Sequence, residues 1–187
     1  MLQLEPHAST QPHRHDSEYA WVSLDASQAV LHYSKPVLAH TDRNDSAVPR
    51  RELVIELLQR QTGVRNVCAE ILAGEYLHCH EPGVEWLGAN LQIQFETDQI
   101  HFGVLHVAPN AFVAIPPADV PPLLIPLDAN QTETLTRTNA ASGGAAARQE
   151  VKNGDVLRWT AGQISEIHNS GNAPARFLVV AFGGAGE

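Results

Sequence analysis

Cysteine, basic side chains and long apolar runs are all scarce in this chain of 187 residues, and each shortage excludes something. Two cysteines, Cys68 and Cys79, make no disulfide framework and fit a reducing cytoplasm. Lys and Arg number 12 against 21 Asp and Glu, a formal charge of −9. Such a balance leaves no basic excess to displace counterions from nucleic acid or to hold an anionic membrane surface. No apolar run approaches the roughly 18 to 20 residues of a spanning helix. The opening, MLQLEPHASTQPHRHD, lacks the basic-then-apolar order of a secretory leader. A Gly-rich phosphate loop, a nucleophile elbow and a CxxC pair are also missing. What the chain does have is an apolar fraction of 43%, enough for a core, and ten histidines. Its length suits one compact domain or two very small ones.

Short apolar runs punctuated by Pro, Gly, Asn and Asp dominate the pattern. They predict strands at Trp21–Leu24, Ala29–Tyr33, Val64–Leu72, Glu85–Phe95, Ile100–Val107, Phe112–Ile115, Leu123–Leu127, Val156–Thr160 and Phe177–Phe182. Many short strands at this spacing indicate an all-β sandwich or barrel. Residues 129–150, small and polar around Gly143-Gly144, read as a long flexible loop. Glu52–Leu58 fits either an amphipathic helix or a strand on its own pattern. An internal repeat tips it to strand. His13-Arg-His15, then Glu18, echoes His78-Cys-His80, then Glu85. His40 through Asn44 and Pro49 to Arg51 echoes His168 through Asn172 and Pro174 to Arg176.

In an extended strand His78 and His80 point the same way, as do His13 and His15, so each pair offers a two-imidazole clamp for a transition metal. Alternation from Glu85 places it with Leu87, Ala89, Leu91, Ile93 and Phe95 on a core-facing side. Glu18 shares a side with Ala20, Val22 and Leu24. A carboxylate aimed into an apolar interior is costly unless it is protonated, paired or bound to a cation. Metal coordination beside two histidines is one explanation, and a protonated acid or an edge position reaching water are the others. His101 and His106 sit five apart and face opposite sides of one strand. Cys79 points away from its neighbouring histidines.

These residues resemble the two motifs of the cupin superfamily. Gly74, His78, His80 and Glu85 follow the first, with a shortened lead-in. Gly154, Gly162, His168 and Asn172 follow the second, with Thr160 at the proline position and His168 displaced by three residues. The resemblance implies an antiparallel cupin-like β-barrel (a jelly-roll sandwich) over residues 62–187, with a metal held by His78, His80, Glu85 and His168. Residues 1–61 look like an abbreviated cupin unit, or an extension on a single barrel, carrying His13, His15, Glu18 and His40. Its departures are the two-residue gap from His15 to Glu18 and the missing Gly-rich lead before His40.

A set of three histidines and a carboxylate leaves coordination positions open, as metal catalysis requires. The expectation is a metal-dependent enzyme, dioxygenase-like, acting on a small polar metabolite, with Glu85 as ligand and proton acceptor. The cofactor is a divalent transition metal: Fe, Mn, Zn or Ni. The alternative is a non-catalytic binding or sensor cupin with a structural metal, and a third reading is a β-sandwich with incidental histidines. Expected partners are a small-molecule ligand and a second copy of the chain, with no nucleic acid and no membrane.

Overall fold

The computed structural model describes residues 1–24, 31–65, 69–72, 75–77, 83–115, 118–127, 133–138, 147–159, 161 and 164–183. Every helix-length or strand-length element among them is a β-strand. In chain order these are β1 (Leu2–Leu4), β2 (His13–His15), β3 (Glu18–Ser23), β4 (Leu31–Ser34), β5 (Val37–His40), β6 (Arg50–Leu57), β7 (Ala69–Leu72) and β8 (Glu75–Leu77). There follow β9 (Val84–Trp86), β10 (Ala89–Glu96), β11 (Ile100–Val107), β12 (Phe112–Ile115), β13 (Leu123–Pro126), β14 (Glu133–Thr138), β15 (Ala147–Val151), β16 (Ile164–Asn169) and β17 (Ala175–Phe182). They fall into two compact units: Met1–His80 with Gln94–Gln99, and Glu81–Ile93 with Ile100–Glu187. The sequence had suggested a division at residue 61. No described helix is long and apolar enough to cross a membrane.

In the first unit an antiparallel sheet runs β1-β6-β3-β4, and β2 pairs separately with β5. The ambiguous segment at Glu52–Leu58 is a strand, as the repeat argued. Its alternation turns Leu53 and Leu57 to one side with Ala20 and Val22, all buried. Helical spacing would have drawn Leu58 into the same stripe; instead it lies past the strand end, 85% exposed. The opposite side of this sheet carries Tyr19, Trp21, Glu52, Val54 and Glu56.

The second unit has a five-stranded sheet, β13-β17-β11-β10-β9, and a four-stranded one, β12-β16-β14-β15. Both sheets feed one apolar core, including Leu105, Val107, Val113, Ile115, Ile167, Ala175, Phe177 and Val179. Each large side chain buried there contributes roughly 1.5–3 kcal/mol relative to exposure.

The two units repeat one local construction. His7 and Asn110 both have positive φ, at 61° and 58°. Next to them Ala8 N donates to Glu5 O, and Ala111 N to Ala108 O. Asn44 and Asn169 are buried amides with parallel bonds. Their backbone N–H groups donate to Ala8 and Ala111 carbonyls. Their side-chain NH2 groups donate to Leu4 and Val107 carbonyls, and also to Val48 and Ala173, each at 2.8 Å. Leu24 N donates to Arg51 O, and Leu127 N to Arg176 O, both at 2.9 Å. The true repeat therefore matches residues from Leu4 with those from Val107, and Asn44 with Asn169. The sequence had instead paired Asn44 with Asn172, three residues out.

Other departures are local. The run Glu85–Phe95 is not one strand but the hairpin β9–β10, folded at Leu87 and Gly88 with φ of 55° and 83°. Positive φ at both central residues is the tight turn that suits the twist of paired strands. Residues 133–138 and 147–151, expected in a loop, are β14 and β15, paired with each other, and β14 also pairs with β16. Within the predicted strand Val156–Thr160, the described residues 156–159 contribute a bridge from Leu157 to Leu124.

Candidate metal centre

Of the two histidine pairs in the sequence, His13 and His15 lie on β2 in the first unit. His13 and His15 project from one side of β2, and the pairing of β2 with β5 sets His13 directly opposite His40. The three rings offer ligand atoms that all lie within 4.8 Å of one another. Ring centroids are 4.4 Å apart for His13–His40 and 5.3 Å for the other two pairs. Tyr19 stacks on His15 at 4.1 Å.

Hydrogen bonds orient the rings. His13 Nδ1 lies 3.0 Å from the Gln11 carbonyl, with Thr10 Oγ1 at 3.3 Å. His15 Nδ1 lies 3.0 Å from Glu56 Oε1. A carbonyl and a carboxylate only accept, so Nδ1 is the donor in both contacts and Nε2 is the nitrogen left for a metal. Metal-binding histidines are held in this way by their second nitrogen. The third ring adds a buried Nδ1, on His40, with no hydrogen-bond partner. Two oriented rings and an orphaned ring nitrogen within one cluster fit a divalent transition metal.

Beside the cluster lies a pocket of about 300 Å³. Tyr19, Trp21 and Val54 give it an apolar wall, and Asp42, Arg50 and Glu52 its charge. Glu52 is buried, and that burial raises its carboxyl pKa; Arg50, 3.2 Å away as an ion pair, lowers it, and the Asp42 charge raises it again. Asp42 Oδ2 is 3.3 Å from His13 Nε2 and 3.9 Å from His40 Nε2. The sequence reading named none of Asp42, Glu52 and Glu56. Two of them had a signal: Glu52 and Glu56 flank the apolar run Leu53-Val54-Ile55 and share one side of the strand.

Glu18 does not join the histidines. Strand alternation puts Tyr19, not Glu18, on the pocket side. Glu18 accepts a hydrogen bond from Gln61 N at 2.8 Å on the other side of the sheet. There it neighbours Tyr33, whose hydroxyl has no partner in hydrogen-bond geometry and whose pKa is pushed up to about 12 by burial and by the Glu18 charge.

The four residues expected to hold metal in the second unit separate into two groups. His78 and His80 lie outside the described residues. Glu85 is exposed, and its core-facing placement is corrected: the Leu87-Gly88 turn reverses the chain, so Glu85 sits opposite Asn90 on the polar side. It lines a depression of about 740 Å³ with Asn90 and His106. His168 stacks on exposed Phe112 at 4.1 Å, on the side of β16 away from buried Ile167. In the structural repeat the counterparts of His13, His40, Asp42 and Glu52 are Ile115, Ser165, Ile167 and Phe177. All four are buried, three of them in the apolar core. The interior that is a polar pocket in one unit is thus packed hydrocarbon in the other.

No protein-family model and no curated protein matches the sequence. Among solved structures, AerE from Microcystis aeruginosa superposes with a TM-score of 0.65 at 9% identity, over 96% of this chain and 84% of AerE. Oxalate decarboxylase from Bacillus subtilis, described with Mn(II) centres, gives 0.59 at 14% identity, over 99% of this chain and 68% of its own. A Cupin 2 conserved barrel domain protein from Salinispora arenicola gives 0.44 at 15% identity, over 55% of this chain and 82% of its own. The likeness to AerE and to oxalate decarboxylase shows the fold, which is all-β, antiparallel and cupin-like.

Proposed function

We propose that the protein is a metal-dependent enzyme, dioxygenase-like, that acts on a small polar metabolite, with the metal held by His13, His15 and His40. The observation that supports this reading is the convergence of three imidazoles, two with their free nitrogens fixed, at a pocket sized for a small molecule. Three histidines leave open positions, and an ion there supplies polarisation of a bound oxygen or redox exchange with dioxygen. The chain's own groups do the remaining work. Trp21, Tyr19 and Val54 exclude water from one side, Arg50 offers a cation to a polar substrate, and Glu52 holds a proton more readily than an exposed acid. Mn is the metal to test beside Fe, Zn and Ni, since oxalate decarboxylase shares this fold and has Mn(II) centres.

Elemental analysis of protein purified without added metal tests the site. The expected result is close to one transition metal per chain, lost in His13→Ala and His40→Ala and retained in His168→Ala. Dioxygen uptake with a panel of small hydroxy and keto acids then tests the reaction. Metal uptake with no turnover on any substrate would favour the binding or sensor reading. Absence of metal, with thermal stability indifferent to chelator, would remove both. The proposal includes a cytoplasmic setting and a homodimer, the latter checked by sedimentation.

A further inference from the structure

Resting on that metal site, we infer that Asp42, and not Glu18, supplies the carboxylate ligand. The first observation is placement. Glu18 Oε2 is engaged by Gln61 N on the far side of the β1-β6-β3-β4 sheet. Asp42 follows β5 two residues after His40, and its carboxylate faces His13 and His40. Its backbone is tied to the strand leading to His13: Asp42 N donates to Thr10 Oγ1 at 3.0 Å, and Thr10 N to Asp42 O at 2.9 Å. The same Thr10 hydroxyl touches His13 Nδ1.

The second observation is spacing. The His13 ring contacts the Gln11 carbonyl through Nδ1, which leaves Nε2 as its metal-facing atom, and Asp42 Oδ2 lies 3.3 Å from that Nε2. Two ligand atoms about 2.0–2.2 Å from one ion at roughly tetrahedral or right angles are themselves roughly 3 Å apart. The His13–Asp42 spacing matches that separation. Glu56, bonded to the outer nitrogen of His15, orients a ring and does not coordinate.

The test is titration of the metal-free full chain with Co(II), followed by visible absorption. The site's signal is the part of the spectrum that His40→Ala abolishes. Asp42→Asn is expected to weaken Co(II) binding by about tenfold or more and to shift the bands, as an amide replaces a carboxylate. Asp42→Ser, too short to reach, should do the same while far-UV circular dichroism stays unchanged. Glu18→Gln should keep affinity within about twofold and the same bands. Wild-type bands in both Asp42 variants, or their loss in folded Glu18→Gln, overturns the inference while leaving the metal site intact. No His40-dependent band in wild type overturns the metal site and this ligand with it.

Discussion

Glu52 is a buried carboxylate in a wall otherwise shared by Tyr19, Trp21 and Val54, and its ionisation is therefore coupled to folding. Its folded pKa lies above the ordinary 4.5, chiefly because burial disfavours the charge. The folded chain thus binds the proton more tightly than the unfolded one. The associated stability is fully present below pH 4.5 and is lost as pH rises through the folded value. Glu52→Gln should relieve this loss. In metal-free protein the melting temperature of the variant, relative to wild type, should rise progressively as pH climbs above 4.5; a gap independent of pH would contradict the shift. Tyr33 follows the same sign at the alkaline end. Its contribution is present below pH 10 and is lost toward about 12. Ultraviolet titration should show a tyrosine ionising late, toward about 12, and Tyr33→Phe should remove that step. Tyr33 was not legible as special, because its environment comes from strands distant in sequence, and Glu52 was legible only as a carboxylate beside an apolar run.

Legibility differed between elements for physical reasons. Ile100–Val107 and Phe112–Ile115 were read to the residue, since apolar runs there end at turn-forming Asp98, Asn110 and Pro116. The β9–β10 hairpin was missed because Leu87 is a poor sequence marker of positive φ. That omission moved Glu85 to the wrong side of the sheet. Strands β14 and β15 were missed because their order comes from pairing and not from an apolar period. The hairpin carries its own test. A Cβ at Gly88 meets nothing within 4 Å, so Gly88→Ala should cost only the backbone penalty of positive φ, about 1 kcal/mol in urea unfolding. Gly103 in β11 is the converse. Its added Cβ would lie 2.8 Å from the Gln92 carbonyl and 2.9 Å from Leu91 Cδ1, so Gly103→Ala should cost about 1–3 kcal/mol by overpacking.

At the level of the whole molecule, the sequence offered a histidine pair in each half, His13–His15 and His78–His80, because a two-residue period survives translation into a strand; the second pair lies outside the described residues. The sequence did not announce which unit keeps the polar interior, since that depends on Ile115, Ile167 and Phe177 facing inward together. If the first unit alone is anchored by metal, chelation should lower the melting temperature of wild type by about 5 °C or more. The same treatment should leave His15→Ala unmoved, as calorimetry would show. The two buried asparagines carry a different consequence. Asn44 and Asn169 each precede a proline by five positions and an arginine by seven, and their side chains tie four and three backbone groups respectively across a turn. The second half of this chain keeps that amide where it has no imidazole at the positions matching His13 and His40, so the Asn-x4-Pro-x-Arg stretch, present twice in the sequence, marks the shared turn more faithfully than the histidines do.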